Sequence, residues 1–115
     1  MKKIAVFGLL VWAIPCFAQD YAYLVPEGWQ IIDVQVGDLN KDQANDVAMI
    51  VEFTADVAIQ PRVLIVAFKT ADGYSEPYRA EHVVLTRDEG GTKGDPLQPM
   101  IIRRGTIVLS FSGGS

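Results

Sequence analysis

Residues 31–53 read IIDVQVGDLNKDQANDVAMIVEF, and this stretch decides the fold. It opens by alternating. Ile32, Val34 and Val36 fall on one face and Asp33 and Gln35 on the other, the period of a half-buried strand. It closes with an almost continuously apolar run at 47–53, the pattern of a strand covered on both sides. Gly37-Asp38-Leu39-Asn40-Lys41-Asp42-Gln43-Ala44-Asn45-Asp46 lies between them and is polar or small except for Leu39. The unit is therefore strand, acidic loop, strand.

The same grammar continues outward. Residues 63–68 form another apolar run entered through Pro61, and Thr70-Ala71-Asp72-Gly73 offers a hairpin turn with Gly73 free to take a positive φ. A fourth strand is expected from Tyr78 to Leu85, after Tyr74 and the interruption of Pro77. Residues 100–103 and 106–112 flank Arg104-Gly105 as a closing hairpin, and the segment 87–96 between, with three glycines, reads as a flexible polar loop. After residue 20 no window sustains the i, i+3, i+4, i+7 spacing of an amphipathic helix over three turns. The expectation is an all-β chain: an antiparallel sheet of about six strands, with one four-stranded unit over 31–84 and a C-terminal hairpin.

The first eighteen residues are of another kind. Lys2 and Lys3 precede fifteen uncharged, mostly apolar residues, and Cys16-Phe17-Ala18 puts small residues at the −3 and −1 positions before Gln19-Asp20. This is the three-part pattern of a secretory signal peptide over 1–18, with cleavage after Ala18. The run falls short of the ~20 residues that span a bilayer, so a retained anchor is the weaker reading. A lipoprotein acylated at Cys16 is disfavoured by Ala13-Ile14-Pro15, where small residues are wanted. The expected location is periplasmic or secreted, with no membrane span after cleavage.

Of 115 residues, 50% are hydrophobic and 21% charged, which excludes a disordered chain, and the net charge is −4. Losing residues 1–18 removes two lysines and the single cysteine. What remains is a 97-residue domain, residues 19–115, with 8 basic and 14 acidic groups and a net charge of −6. An acidic balance of that size argues against nucleic acid as a partner. A disulfide-free exported domain of this length has a modest core, so a bound ion would matter to its stability.

The acidic loop is where such an ion fits. Asp38, Asn40, Asp42 and Asp46 occupy positions 1, 3, 5 and 9 of D-x-N-x-D-x-x-x-D, and Ala44 at position 7 would add a main-chain carbonyl. Ca²⁺ takes six to eight oxygens at about 2.3–2.6 Å, and a curling loop presents alternate side chains inward. Gln43 occupies position 6, where such loops want glycine, and Met49 replaces the bidentate Glu of an EF-hand. The competing reading is an Asp/Asn-rich turn whose side chains cap their own backbone amides.

Val36-Gly37-Asp38-Leu39-Asn40-Lys41-Asp42, followed by Asp46-Val47, resembles the calcium loop of FG-GAP/VCBS-type repeats, the units of integrin-α-like β-propellers and of many bacterial exported proteins. In that family a strand runs into G-D-x-[ND]-x-D-G-x-x-D and an apolar strand follows. The resemblance covers roughly residues 31–84 and implies one propeller-blade-like unit. It places Asp38, Asn40, Asp42 and Asp46 at the side-chain ligand positions and Ala44 at the main-chain one, with Gln43 departing from the family glycine. The chain holds no second D-x-[ND]-x-D, and propellers close with four or more blades. It therefore reads either as a small β domain with one repeat or as a longer protein truncated at the C-terminus.

Other constellations are thin. His82 is the single histidine, with no cysteine partner after cleavage, and is expected on a strand's solvent face. Ser110-Phe111-Ser112-Gly113-Gly114 lacks the first glycine of a nucleophile elbow, and Gly90-Gly91-Thr92-Lys93-Gly94-Asp95 is neither a phosphate loop nor a calcium repeat. Asp88, Glu89 and Asp95 could act as acid–base carboxylates only if a cleft gathered them. Tyr21, Tyr23 and Trp29 read first as packing residues and second as ligand-facing ones. The sequence thus favours a non-enzymatic, calcium-stabilised module that binds a protein or glycan partner. The alternatives are a periplasmic binding or inhibitor protein with a metal-free turn and, last, a fragment of a hydrolase.

Overall fold

The computed structural model describes residues 21–112, so the expected signal peptide at 1–18 lies outside the described residues. Among the described residues eight strands form three antiparallel sheets, with 3-10 turns but no α-helix. The main sheet is a four-stranded meander in the order β1 (Trp29–Gly37), β2 (Asp46–Phe53), β3 (Arg62–Ala67) and β6 (Tyr78–Glu81). β4 (Lys69–Thr70) and β5 (Gly73–Tyr74) make a small hairpin between β3 and β6, and β7 (Ile101–Arg103) with β8 (Thr106–Val108) makes the C-terminal one. The chain is all-β, as its strand periodicity indicates.

β2 is the spine, because both of its faces are apolar. Val47, Met49 and Val51 pack on one side with Leu24, Ile65 and Ala67. Ala48 and Ile50 pack on the other with Leu64, Val84 and Met100. Truncating Met49 or Ile50, both fully buried, would cost about 2–5 kcal/mol. The first face is covered by the N-terminal turn around Leu24 and by Tyr74. The second is covered by the C-terminal hairpin through Ile102, Ile107 and Leu109. Asp33 tethers that hairpin, accepting the Met100 N–H at 2.7 Å.

Three local expectations change. A bulge in β1 between Ile31 and Asp33 shifts the phase, so Ile31 joins Val34 and Val36 on one face while Ile32 turns to the other. Strict alternation has no room for the extra residue. The fourth strand ends at Glu81 instead of Leu85 because His82 takes a φ of 67°, which stops the ladder. His82 is therefore an exposed turn residue rather than a strand residue. The expected Arg104-Gly105 turn has φ values of 53° and 76°, the doubly positive pattern that matches strand twist in a two-residue hairpin.

Candidate metal centre

The acidic loop joins β1 to β2, so both of its ends are fixed by the central strand pair. Gly37 closes β1 with its Val36 neighbour opposite Val47. A Cβ at Gly37 would stand 3.1 Å from Ile102 Cγ2, so the C-terminal hairpin lies directly on the base of the loop. The hairpin turn itself touches the loop, since a Cβ on Gly105 would lie 3.7 Å from the Asp38 carbonyl oxygen.

Asp38 organises the loop. Its Oδ1 accepts the N–H groups of Asn40 at 3.2 Å, Lys41 at 2.7 Å and Asp42 at 3.2 Å, and its Oδ2 accepts that of Gln43 at 2.7 Å. Desolvation pushes its carboxyl pKa up, but the N–H groups of Gln43, Lys41, Asp42 and Asn40 together outweigh it and hold the pKa below 3.8. Wrapping the chain this tightly forces Lys41 and Gln43 into left-handed conformations, with φ of 63° and 69°. The position where a glycine was wanted does need positive φ, and Gln43 adopts it.

Asp42 and Asp46 complete the cluster. Asp42 Oδ1 accepts the Ala44 N–H at 3.0 Å. Asp46 is fully buried at the start of β2; its Oδ2 accepts the Leu39 N–H at 2.8 Å and its Oδ1 the Lys69 N–H at 2.7 Å. It thus ties the loop to the main sheet and to β4. Carboxylate oxygens of Asp38, Asp42 and Asp46 lie within 4.8 Å of one another, close enough to hold a metal ion. Unit charges at about 4 Å repel by ~1 kcal/mol in water and ~4 kcal/mol near a protein surface, so the cluster favours a cation.

Asn40 faces the same point. With its amide nitrogen turned inward it donates to Asp42 Oδ1 at 2.8 Å and to Asp38 Oδ1 at 3.2 Å. With its oxygen turned inward it would crowd those carboxylates, an arrangement only a shared cation could favour. The structure therefore gathers Asp38, Asn40, Asp42 and Asp46, and it places Ala44 in the loop with its N–H engaged by Asp42. An all-oxygen donor set of this kind suits a hard cation.

A second charged cluster was not legible as a site. Glu52 and Arg62 are buried partners across β2 and β3, with Arg62 Nε donating to Glu52 Oε2 at 2.9 Å. Arg62 also forks onto Asp95, at 2.9 Å to Oδ1 and 2.7 Å to Oδ2, and donates to the Leu85 carbonyl at 3.1 Å. Arg87 reaches Glu52 Oε1 at 2.6 Å. The Arg62 hydrogen bonds hold the Asp95 pKa down at about 2, against desolvation. Asp95 in turn raises that of Arg62 above its ordinary value, with burial opposing and Glu52 assisting. The segment expected to be a flexible loop is consequently clamped into 3-10 structure over Arg87–Lys93, kinked at Gly91 and opened by a capping box between Thr86 and Glu89. Asp95 and Glu89 are used in these structural contacts instead of gathering in an acid–base cleft. A glutamate ending an apolar strand and an arginine starting the next were the available signal, since hairpin neighbours pair across the ladder.

No family model matches the chain, and neither does any curated protein or solved structure.

Proposed function

We propose that this chain is an exported β module, stabilised by Ca²⁺ in the loop between β1 and β2, that works by binding a macromolecule. The observation that carries the reading is the convergence of Asp38, Asp42 and Asp46 within 4.8 Å at the junction of the two central strands. The FG-GAP/VCBS-like order of those residues supports calcium over other hard cations, and the signal-peptide pattern at 1–18 supports export. Asp38, Asn40, Asp42 and Asp46 supply the side-chain oxygens and Ala44 the main-chain one. An ion there would stiffen the contact between the loop and the Arg104-Gly105 turn, joining the main sheet to the C-terminal hairpin.

A specific observation also favours a second reading, a binding or inhibitor protein with a metal-free turn. Each of the three carboxylates already accepts backbone N–H groups, so the loop is closed without an ion. Thermal melts in chelator and in excess calcium separate the two. Under the first reading calcium raises the melting temperature and Asp42→Ala removes the gain. Superimposed wild-type curves would sink it and leave the second.

A further inference from the structure

Far from the acidic loop, at the end of the sheet where β1 and β3 begin, a cleft of about 450 Å³ opens on the face occupied by Val51, Val63 and Ile65. That volume is within the range of small-molecule sites. Its apolar wall includes Trp29, half-buried and tilted against Phe53 with ring centroids 5.3 Å apart, and the rings of Pro26 and Pro61. Its rim is polar. Arg79 and Glu81 project from β6 on the same face, because they pair in register with Ile65 and Val63, and His82 follows at the left-handed turn.

These three rim groups differ from the other charges at the cleft. Arg62 is committed to Glu52 and Asp95, and Glu89 to the Thr86 cap. The side chains of Arg79, Glu81 and His82 enter no hydrogen bond or ion pair among the described residues. Their charges select the ligand. Arg79 and Glu81 cancel, so the rim offers neither an anion nor a cation a net attraction. Together with an imidazole they offer planar donors and acceptors side by side. A neutral ligand whose hydroxyls both donate and accept, and which has an apolar C–H face to lay on an indole and prolines, matches both parts. That ligand is a carbohydrate. Edge protection alone would explain charges on an outer strand, but not a cleft with an aromatic wall beneath them.

We infer that the cleft bounded by Trp29, Arg79, Glu81 and His82 is a carbohydrate-binding site for a neutral sugar unit of a glycan. The inference names a partner class for the binding role proposed above and rests on that role, but not on the ion. The test uses neutral disaccharides (cellobiose, maltose, lactose and chitobiose) as probes, in chelator and again in calcium. Trp29 is the only tryptophan beyond residue 18, so its fluorescence reports the cleft directly. Saturable fluorescence change with at least one disaccharide is expected in both buffers, with saturation-transfer NMR showing sugar protons against the protein. Arg79→Ala and Glu81→Ala should each weaken binding about tenfold, the loss of one good hydrogen-bonding group, without moving the melting temperature. The site is overturned by failure of all four sugars in both assays, by unchanged affinity in the double variant Arg79→Ala, Glu81→Ala, or by binding that requires calcium. Tight binding of an anionic amphiphile such as anilinonaphthalene sulfonate, abolished by Arg79→Ala while no sugar competes, would overturn the carbohydrate assignment. A calcium-dependent melting shift with no sugar binding leaves the metal reading standing, so the two fail separately.

Discussion

Arg62 at the start of β3 stands directly opposite Glu52 near the end of β2, and its guanidinium links that buried carboxylate to Asp95, 33 residues further along the chain. One side chain thereby fastens the meander to the segment that leads into the C-terminal hairpin. Glu52 is fully buried and Arg62 is 3% exposed, so removing either leaves the other's charge buried with fewer partners. Arg62→Met should lower stability by about 3–5 kcal/mol in urea denaturation, because it leaves Glu52 with only the exposed Arg87. The double variant Glu52→Leu, Arg62→Met leaves no unpaired buried charge, and Asp95 and Arg87 can both be solvated. It should recover part of the loss. A double variant weaker than Arg62→Met alone would refute this account of the pair.

The same contact makes the fold acid-sensitive in a defined window. Arg62 holds the Asp95 pKa at about 2, against an ordinary value of 3.8. A folded-state pKa below the unfolded one contributes stability that is complete above the unfolded value and is lost as the pH falls through the folded one. Wild-type stability should therefore decline between pH values near 4 and 2, and Asp95→Asn should show a shallower decline there. Asp38, whose pKa is also lowered, keeps some acid sensitivity in the variant. Melting curves collected across that window decide the matter, and parallel pH profiles would count against the Asp95 contribution.

The pattern of residues 31–53 announced the central hairpin and its loop because both signals are local: a period of two, a continuous apolar run, and oxygen side chains at alternate positions. The Arg104-Gly105 turn was legible for the same reason. The bulge at Ile31 to Asp33 was not, since it depends on which face of β1 meets the C-terminal hairpin, a contact made by residues 67 positions away through Asp33 and Met100. The clamp on Asp95 was hidden likewise: three glycines look mobile until a buried arginine from another strand is seen to hold the segment. Within the loop, sequence spacing picked out Asp38, Asn40, Asp42 and Asp46 as one group. It did not reveal that Asp46 alone also fastens β4.

That difference among the aspartates separates architecture from ion binding. In chelator, Asp46→Ala should cost about 3 kcal/mol or more, because two backbone N–H groups in a part-buried setting lose a charged acceptor. Asp42→Ala loses only exposed contacts, to the Ala44 N–H and to the Asn40 side-chain amide, and should cost less, about 1 kcal/mol. With calcium added, only the wild type should gain stability. Chemical denaturation in the two buffers gives all six values, and equal losses for the two variants in chelator would mean that Asp46 has no separate structural role.

The loop also contains a reserve of stability at Gln43. Its φ of 69° places a side chain in the left-handed region, which costs roughly 1–2 kcal/mol relative to ordinary backbone. Glycine avoids that cost but adds freedom to the unfolded chain worth about 0.4–1 kcal/mol, so Gln43→Gly should be stabilising by up to ~1 kcal/mol in chelator. For a domain of this size that is a rise of roughly 5 °C in melting temperature. Asn45 provides the control, because it lies two residues on in the same loop but is not among the residues with positive φ. Asn45→Gly relieves no strain and should lower stability. The same two variants address the ion: a loop already relaxed into the binding conformation should take calcium more tightly in Gln43→Gly than in the wild type, read by calorimetric titration. Equal melting temperatures for the two glycine variants would show that the left-handed turn at Gln43 carries no strain to release.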